Sequence, residues 1–264
     1  MKTIARGLKK CVPLPAKVWL REKIFNFYGV PWNRHGVPPA MASHFRGSAP
    51  ITLVDVGASR GEFTQSLSNF CGVRKALLVE IQPARCDELR QRFPNPSFHV
   101  VCAAAGSREE VVDIDVLAWD YSTSLLTIDR TDSSVAGAND FSVRERIKTR
   151  VRLLDDICTE SGFTEEIDLL KLDVQGAEGM VLAGATQTLH RARAVWTEVS
   201  FRPIYKDSVT FEGIYQLFRN AGFRLVAIEE AFCGVDGELL QADALFVRGN
   251  TANGHAKSGP ARVS

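Results

Sequence analysis

The sequence predicts an α/β domain built on a parallel sheet covered on both faces, and three observations carry that expectation. From Ile51 onward, short apolar runs alternate with stretches of helical periodicity, the pattern of strands joined by crossover helices. The run ITLVDV leads directly into a glycine turn, GASRG, and then a helical stretch, the arrangement of a cofactor site at a sheet switch point. A second apolar run, IDLLKLDV, carries Lys171 and Asp173 on one face just before another glycine turn.

Along the chain, the first 46 residues hold nine Lys and Arg against the single acid Glu22, and are read as a basic N-terminal extension and linker. Within it, Val18, Leu20, Ile24, Phe25 and Phe27 alternate with Lys17, Arg21 and Lys23. That segment forms either a helix packed on its own domain or a basic amphipathic helix making weak peripheral membrane contact. Residues 31–50, rich in Pro, Gly and Ser, read as linker. The domain proper is placed at 47–249, with strand runs Ile51–Val56, Ala76–Glu80, Phe98–Val101, Ile167–Val174 and Ala194–Val199. Between them, Phe63, Leu67 and Phe70 form one helical stripe and Cys86, Leu89 and Phe93 another. Phe211, Ile214, Tyr215 and Phe218 repeat the pattern before Gly222, and the runs Arg224–Ile228 and Ala244–Val247 read as a C-terminal hairpin. Residues 117–150 are expected to be a long polar insertion acting as a lid, and 250–264 a disordered tail.

Composition narrows the function. Of 264 residues, 45% are apolar and 24% charged, as in an ordinary globular protein, and the net charge of +1 gives no global pull toward nucleic acid. The six cysteines show no CxxC pair and no neighbouring histidine at metal-ligand spacing, so neither a disulfide framework nor a zinc site is expected. A reducing, cytoplasmic compartment is the simplest fit.

The chemistry sits in the two glycine turns. A diphosphate-binding turn presents glycines and a helix N-terminus to an anion, whereas here Asp55 and Glu62 flank Gly57 and Gly61. Such acids suit S-adenosylmethionine, which carries positive sulfonium and ammonium groups and no phosphate; singly, they also suit a helix N-terminus. Glu80, ending the second strand run, can accept both ribose hydroxyls. Lys171 and Asp173 are either catalytic groups or a structural ion pair.

The motifs DVGASRGEFT (55–64), VEIQP (79–83), CAAAGS (102–107), STSLL (122–126), IDLLKLDVQGAE (167–178) and EVSFRPIY (198–205) occur in this order. Together they resemble the FkbM-type S-adenosylmethionine-dependent methyltransferases over roughly residues 51–248. The resemblance implies a class I methyltransferase, Rossmann-like fold: a mostly parallel seven-stranded sheet with one antiparallel strand. It also implies O-methylation of a sugar or natural-product hydroxyl. Carried over residue by residue, it places Asp55, Gly57, Ala58 and Gly61 at the methionine end of the cofactor, Glu80 at the ribose, and Ala103 and Ala104 at the adenine, with Ser59 also in the cofactor-binding loop. Ser124, Glu178 and Tyr205 border the acceptor; Ser59 stands where the family pattern has Asn. Asp173 is expected to be the general base, held by Lys171, and a divalent metal on Asp173 and Glu198 is a minor alternative. Two rival functions remain: a nicotinamide-dependent oxidoreductase and a non-catalytic cofactor-binding protein.

Overall fold

The computed structural model describes residues 36–117, 123–127, 142–234 and 237–249. The basic segment 15–28 and the tail lie outside these residues. Strand β1 (Ile51–Val56) leads through the first glycine turn into α2 (Glu62–Phe70); β2 (Val73–Glu80), α3 (Pro83–Arg92) and β3 (Phe98–Cys102) follow. After the short β4 (Ala104–Ala105) and the β5 (Glu110–Leu117) and β6 (Val143–Arg152) pair come α4 (Leu154–Glu160) and β7 (Ile167–Leu172). Helices α5 (Glu178–Ala183) and α6 (Thr186–Arg191) connect β7 to β8 (Ala192–Ser200). The chain closes with α7 (Phe211–Asn220), β9 (Phe223–Cys233) and β10 (Leu239–Arg248).

Seven strands form one sheet in the order β3-β2-β1-β7-β8-β10-β9, parallel except for β10, which runs antiparallel to both neighbours. This is the class I methyltransferase arrangement, with the expected hairpin at its end. Because side chains alternate across a strand, each central strand feeds two cores. Val54, Val56, Leu77, Val79, Leu170 and Leu172 pack under α4 to α7, whereas Leu53, Ala76, Leu78 and Leu169 pack with Leu67 of α2 and Leu89 of α3. The apolar runs of the sequence are continuous for this reason: both faces of β1 are buried along its whole length.

Three expectations are corrected. Residues 31–50 are not all linker: Pro39–Phe45 form a helix, α1, whose Met41, Ala42 and Phe45 join the second core. The prolines that suggested a linker start this helix instead, since a proline in the first turn lacks only an N–H that would have no intrahelical partner. The polar insertion is likewise not all loop. Val143–Arg152 is β6, paired antiparallel to β5 and parallel to β4 in a second, three-stranded sheet. One face of β6 is exposed, and its cations meet acids across the pair, Arg146 bonding Asp115 at 2.7 Å. The remainder of the expected lid, 118–122 and 128–141, lies outside the described residues. Finally, Cys86 and Cys102 form a disulfide, against the expectation from spacing. Their Cα atoms stand 5.8 Å apart because α3 packs back on β3, a proximity that only the fold creates. Among the described residues, no helix is long and apolar enough to cross a membrane.

Candidate active site

The carboxyl ends of β1, β2, β7 and β8 open into a cavity of about 320 Å³. Its floor is the first glycine turn, where Gly57 lies at φ +77° and a Cβ would stand 1.9 Å from the Asp173 carbonyl oxygen. No other residue fits there, because both the conformation and the contact exclude a side chain.

At one end Glu80 is buried, yet lines the cavity. Its oxygens accept the N–H groups of Ser59 at 2.8 Å and Gln82 at 2.9 Å. Burial pushes its proton affinity up and these hydrogen bonds pull it back. A carboxylate has about four acceptor positions, so two backbone donors orient it and leave capacity for a ligand's hydroxyls. Ala103 and Ala104 form the adjoining wall, with Thr123, Ser124 and Leu125 above. Ser124 donates to the Val174 carbonyl at 3.3 Å and accepts from Leu126 N–H at 3.0 Å, fixing that segment over the β7 end.

The parallel register sets Asp55 of β1 beside Lys171 of β7. Lys171 bridges Asp55 and Asp173, 3.2 Å to each, and donates to the Gly57 carbonyl at 2.9 Å. Burial alone would favour the neutral amine, but the Asp173 and Asp55 carboxylates outweigh it and raise its proton affinity. Asp55 also accepts from Thr64 of α2 at 2.7 Å and is fully buried. It therefore ties strand, turn and helix together from behind the cavity wall. Asp173 is different: its side chain is 41% exposed and lines the cavity, with Lys171 on one oxygen and Gln175 Nε2 2.8 Å from the other.

The structure brings Gly57, Ser59, Glu80, Ala103, Ala104, Ser124 and Asp173 to this one cavity. Ala58, Ser59, Lys171 and Asp173 line a second cavity of about 300 Å³ on the far side of the turn, beneath Gly36 to Pro38. Gly61 instead supplies the left-handed entry to α2, against Leu89 and Phe93. Glu178 and Tyr205 are not on the cavity surface. Glu178 accepts the N–H groups of Val174 and Gly176 at 3.0 and 3.3 Å, and Tyr205 packs on Gly176 while its hydroxyl donates to Gln175 at 3.2 Å. Both shape the second turn from beneath.

The sequence reading missed Gln82, Gln175, Gln241 and Asp243 in the cavity wall, and weighed Glu198 only as a metal ligand. Gln241 and Asp243 arrive with β10, which begins where β8 ends. No local motif signals them. Among the described residues, no group of three or more His, Cys, Asp or Glu is arranged to hold a metal ion.

Residues 55–225, more than half of the chain, match the model of the methyltransferase FkbM domain. The chain belongs to the FkbM methyltransferase family. This methyltransferase is 40% identical over 94 residues to the 2-O-methyltransferase NoeI of Sinorhizobium fredii, a match covering 36% of the chain and 37% of that protein. Similar solved structures include an FkbM methyltransferase from Methylobacillus flagellatus, at 14% identity and TM-score 0.45, covering 76% of this chain and 47% of that one. Magnesium protoporphyrin IX methyltransferase from Synechocystis, with bound S-adenosylmethionine, aligns at 11% identity and TM-score 0.43, covering 80% and 76%.

The enzyme uses S-adenosylmethionine. The cavity fits it on the chemistry of its donors: a buried carboxylate with free acceptor capacity in Glu80, small alanines beside it, and a glycine turn backed by acids. When bound, the cofactor supplies an electrophilic methyl group on a sulfonium.

Proposed function

We propose that the methyltransferase methylates a hydroxyl group of a sugar or natural-product small molecule. The observation that carries this reading is the far end of the cavity, where Asp173, Glu198, Gln241 and Asp243 converge from β7, β8 and β10. Carboxylates and amide oxygens accept hydrogen bonds from hydroxyls, and a polyhydroxylated acceptor presents several at once. The partial match to a 2-O-methyltransferase supports the same acceptor class. A diphosphate-bearing nicotinamide cofactor fits poorly, because Asp55 and Glu80 stand at the first glycine turn and Lys171, which touches it, is already paired with Asp55 and Asp173.

In this reading Glu80, Gly57, Ser59, Ala103 and Ala104 hold the cofactor and Ser124 closes over it. Asp173, fixed by Lys171, orients the acceptor. Placement of the two reactants in a water-poor cavity supplies most of the rate. The test is turnover of methyl-labelled cofactor with a library of sugars and hydroxylated natural products, using amine and thiol acceptors as comparisons. Label passing only to amines or thiols would overturn the hydroxyl assignment.

A further inference from the structure

We propose that Glu198, and not Asp173, is the catalytic residue that takes the hydroxyl proton, an assignment resting on the hydroxyl-acceptor reading above. Both carboxylates line the cavity, but their surroundings differ. Asp173 has both oxygens engaged by donors, one by the Lys171 ammonium at 3.2 Å and one by the Gln175 amide at 2.8 Å. It is placed to hold a position. Glu198, near the end of β8, lines the cavity with Oε2 held by Gln241 Nε2 at 2.9 Å and, among the described residues, no ammonium paired to it. Its carboxylate is anchored at one oxygen by a neutral amide and borders the same cavity as Asp173.

The groups around Glu198 come from every element packed against it. Asp173 and Lys171 approach from β7 and the turn after it, Glu178 from α5, Asp243 from β10, and Tyr205 from the segment after β8. Asp243 is its direct cross-strand partner. Burial is the largest influence, and the Asp173, Glu178 and Asp243 carboxylates add to it; all four raise the proton affinity of Glu198, and Lys171 opposes them. In its ionised form, a carboxylate whose proton affinity is raised is a better proton acceptor than an ordinary one. The step balances: the acceptor oxygen forms a C–O bond to the methyl carbon, the C–S bond breaks to leave a neutral thioether, and the hydroxyl proton moves to the Glu198 carboxylate. The paired fixed charges of Lys171 and Asp173 stay unchanged throughout.

The experiment compares wild type with Glu198→Gln, Asp173→Asn and Gln241→Leu. Glu198→Gln is expected to lower kcat by roughly a hundredfold or more and to remove the acidic limb of the pH profile, while affinity for S-adenosylhomocysteine by calorimetry stays within about threefold. Asp173→Asn is expected to keep that limb and act mainly on KM for the acceptor. Gln241→Leu removes a donor to the ionised carboxylate and is expected to move the limb to higher pH. Independently of turnover, carbon-13 NMR of the cofactor-free protein labelled at glutamate carboxyls should show a resonance titrating above the ordinary carboxylate range that disappears in Glu198→Gln. The assignment is overturned if Glu198→Gln turns over at near wild-type rate, if the limb ignores both Glu198→Gln and Gln241→Leu, or if Glu198 titrates in the ordinary range. A wild type that transfers methyl groups only to amines or thiols would overturn the acceptor class instead, so the two readings fail separately.

Discussion

Glu80 and Gly57 show how much a single residue decides in this site, each for a different physical reason. Glu80 is oriented by two backbone N–H groups before any ligand arrives, so little ordering remains to be done on binding. Replacing it with Ala removes charged hydrogen bonds worth about 1.5–3 kcal/mol, and the affinity for S-adenosylhomocysteine should fall by roughly 10- to 150-fold in an equilibrium titration. Unchanged affinity would refute the ribose role. Gly57→Ala meets the Asp173 carbonyl at 1.9 Å and a left-handed φ, so the turn has to move. Its expected signature is lost stability together with lost cofactor binding, read by thermal unfolding with and without S-adenosylhomocysteine. The placement of Gly57 and Glu80 at the cavity was legible in the sequence because each sits at a fixed offset from a strand end. Glu178 and Tyr205, expected at the acceptor, lie off the cavity surface, because proximity in a motif does not say which side of a turn a side chain supports.

At the scale of elements, the disulfide joins α3 to the end of β3, next to the cavity wall at Ala103 and Ala104. Glu80 and Cys102 are register partners, and Cys86 Sγ lies 3.4 Å from the Glu80 carbonyl oxygen. The bridge therefore fixes α3, which follows β2, to the end of β3 beside Glu80, Ala103 and Ala104. Closing a loop of this length stabilises a chain by about 3 kcal/mol in the loop-entropy picture. Cys86→Ser is expected to lower the urea midpoint by a corresponding amount in oxidising buffer. Wild type and variant should converge when a dithiol reductant is present; a difference that persists under reduction would assign the loss to packing of the fully buried Cys86 instead. The β5 and β6 pair carries a different lesson. Its cross-strand charges satisfy one another, so a strand forms from residues whose polarity reads as loop.

Across the whole molecule, carboxylates buried at one sheet edge make stability depend on pH. Glu178 is pushed from its ordinary 4.5 to about 7, chiefly by burial, with Asp173 adding and backbone N–H groups opposing. Below pH 4.5 it is protonated in folded and unfolded chains alike and contributes nothing to the difference. As pH rises from there to about 7, the unfolded chain sheds the proton first, so stability falls, and the loss is complete above that window. Glu80 and Glu198 act in the same direction. Glu178→Gln keeps the oxygen that accepts from Val174 and Gly176 and removes the charge. It should therefore flatten the decline between pH 5 and 8 in urea unfolding, and be more stable than wild type at pH 8. An unchanged slope would show that Glu178 ionises freely in the folded state.

The sequence by itself determined the α/β class, the strands β1, β2, β3, β7 and β8, the closing hairpin, and the cavity-lining residues at the ends of β1, β2 and β3. Those features follow from hydrophobic period and from the local geometry of strand, glycine turn and helix, which is written within about ten residues. Only the tertiary structure decided that Pro39–Phe45 is core helix, that Cys86 meets Cys102, and that Gln241 and Asp243 stand beside Glu198. Each depends on contacts between segments far apart in the chain, and hydrophobic period carries no record of pairing order. Because β10 enters antiparallel between β8 and β9, its first residues reach the carboxyl edge of the parallel strands. That reversal, invisible in any one segment, brings the last acids of the site to the place where the acceptor binds in the proposed reaction.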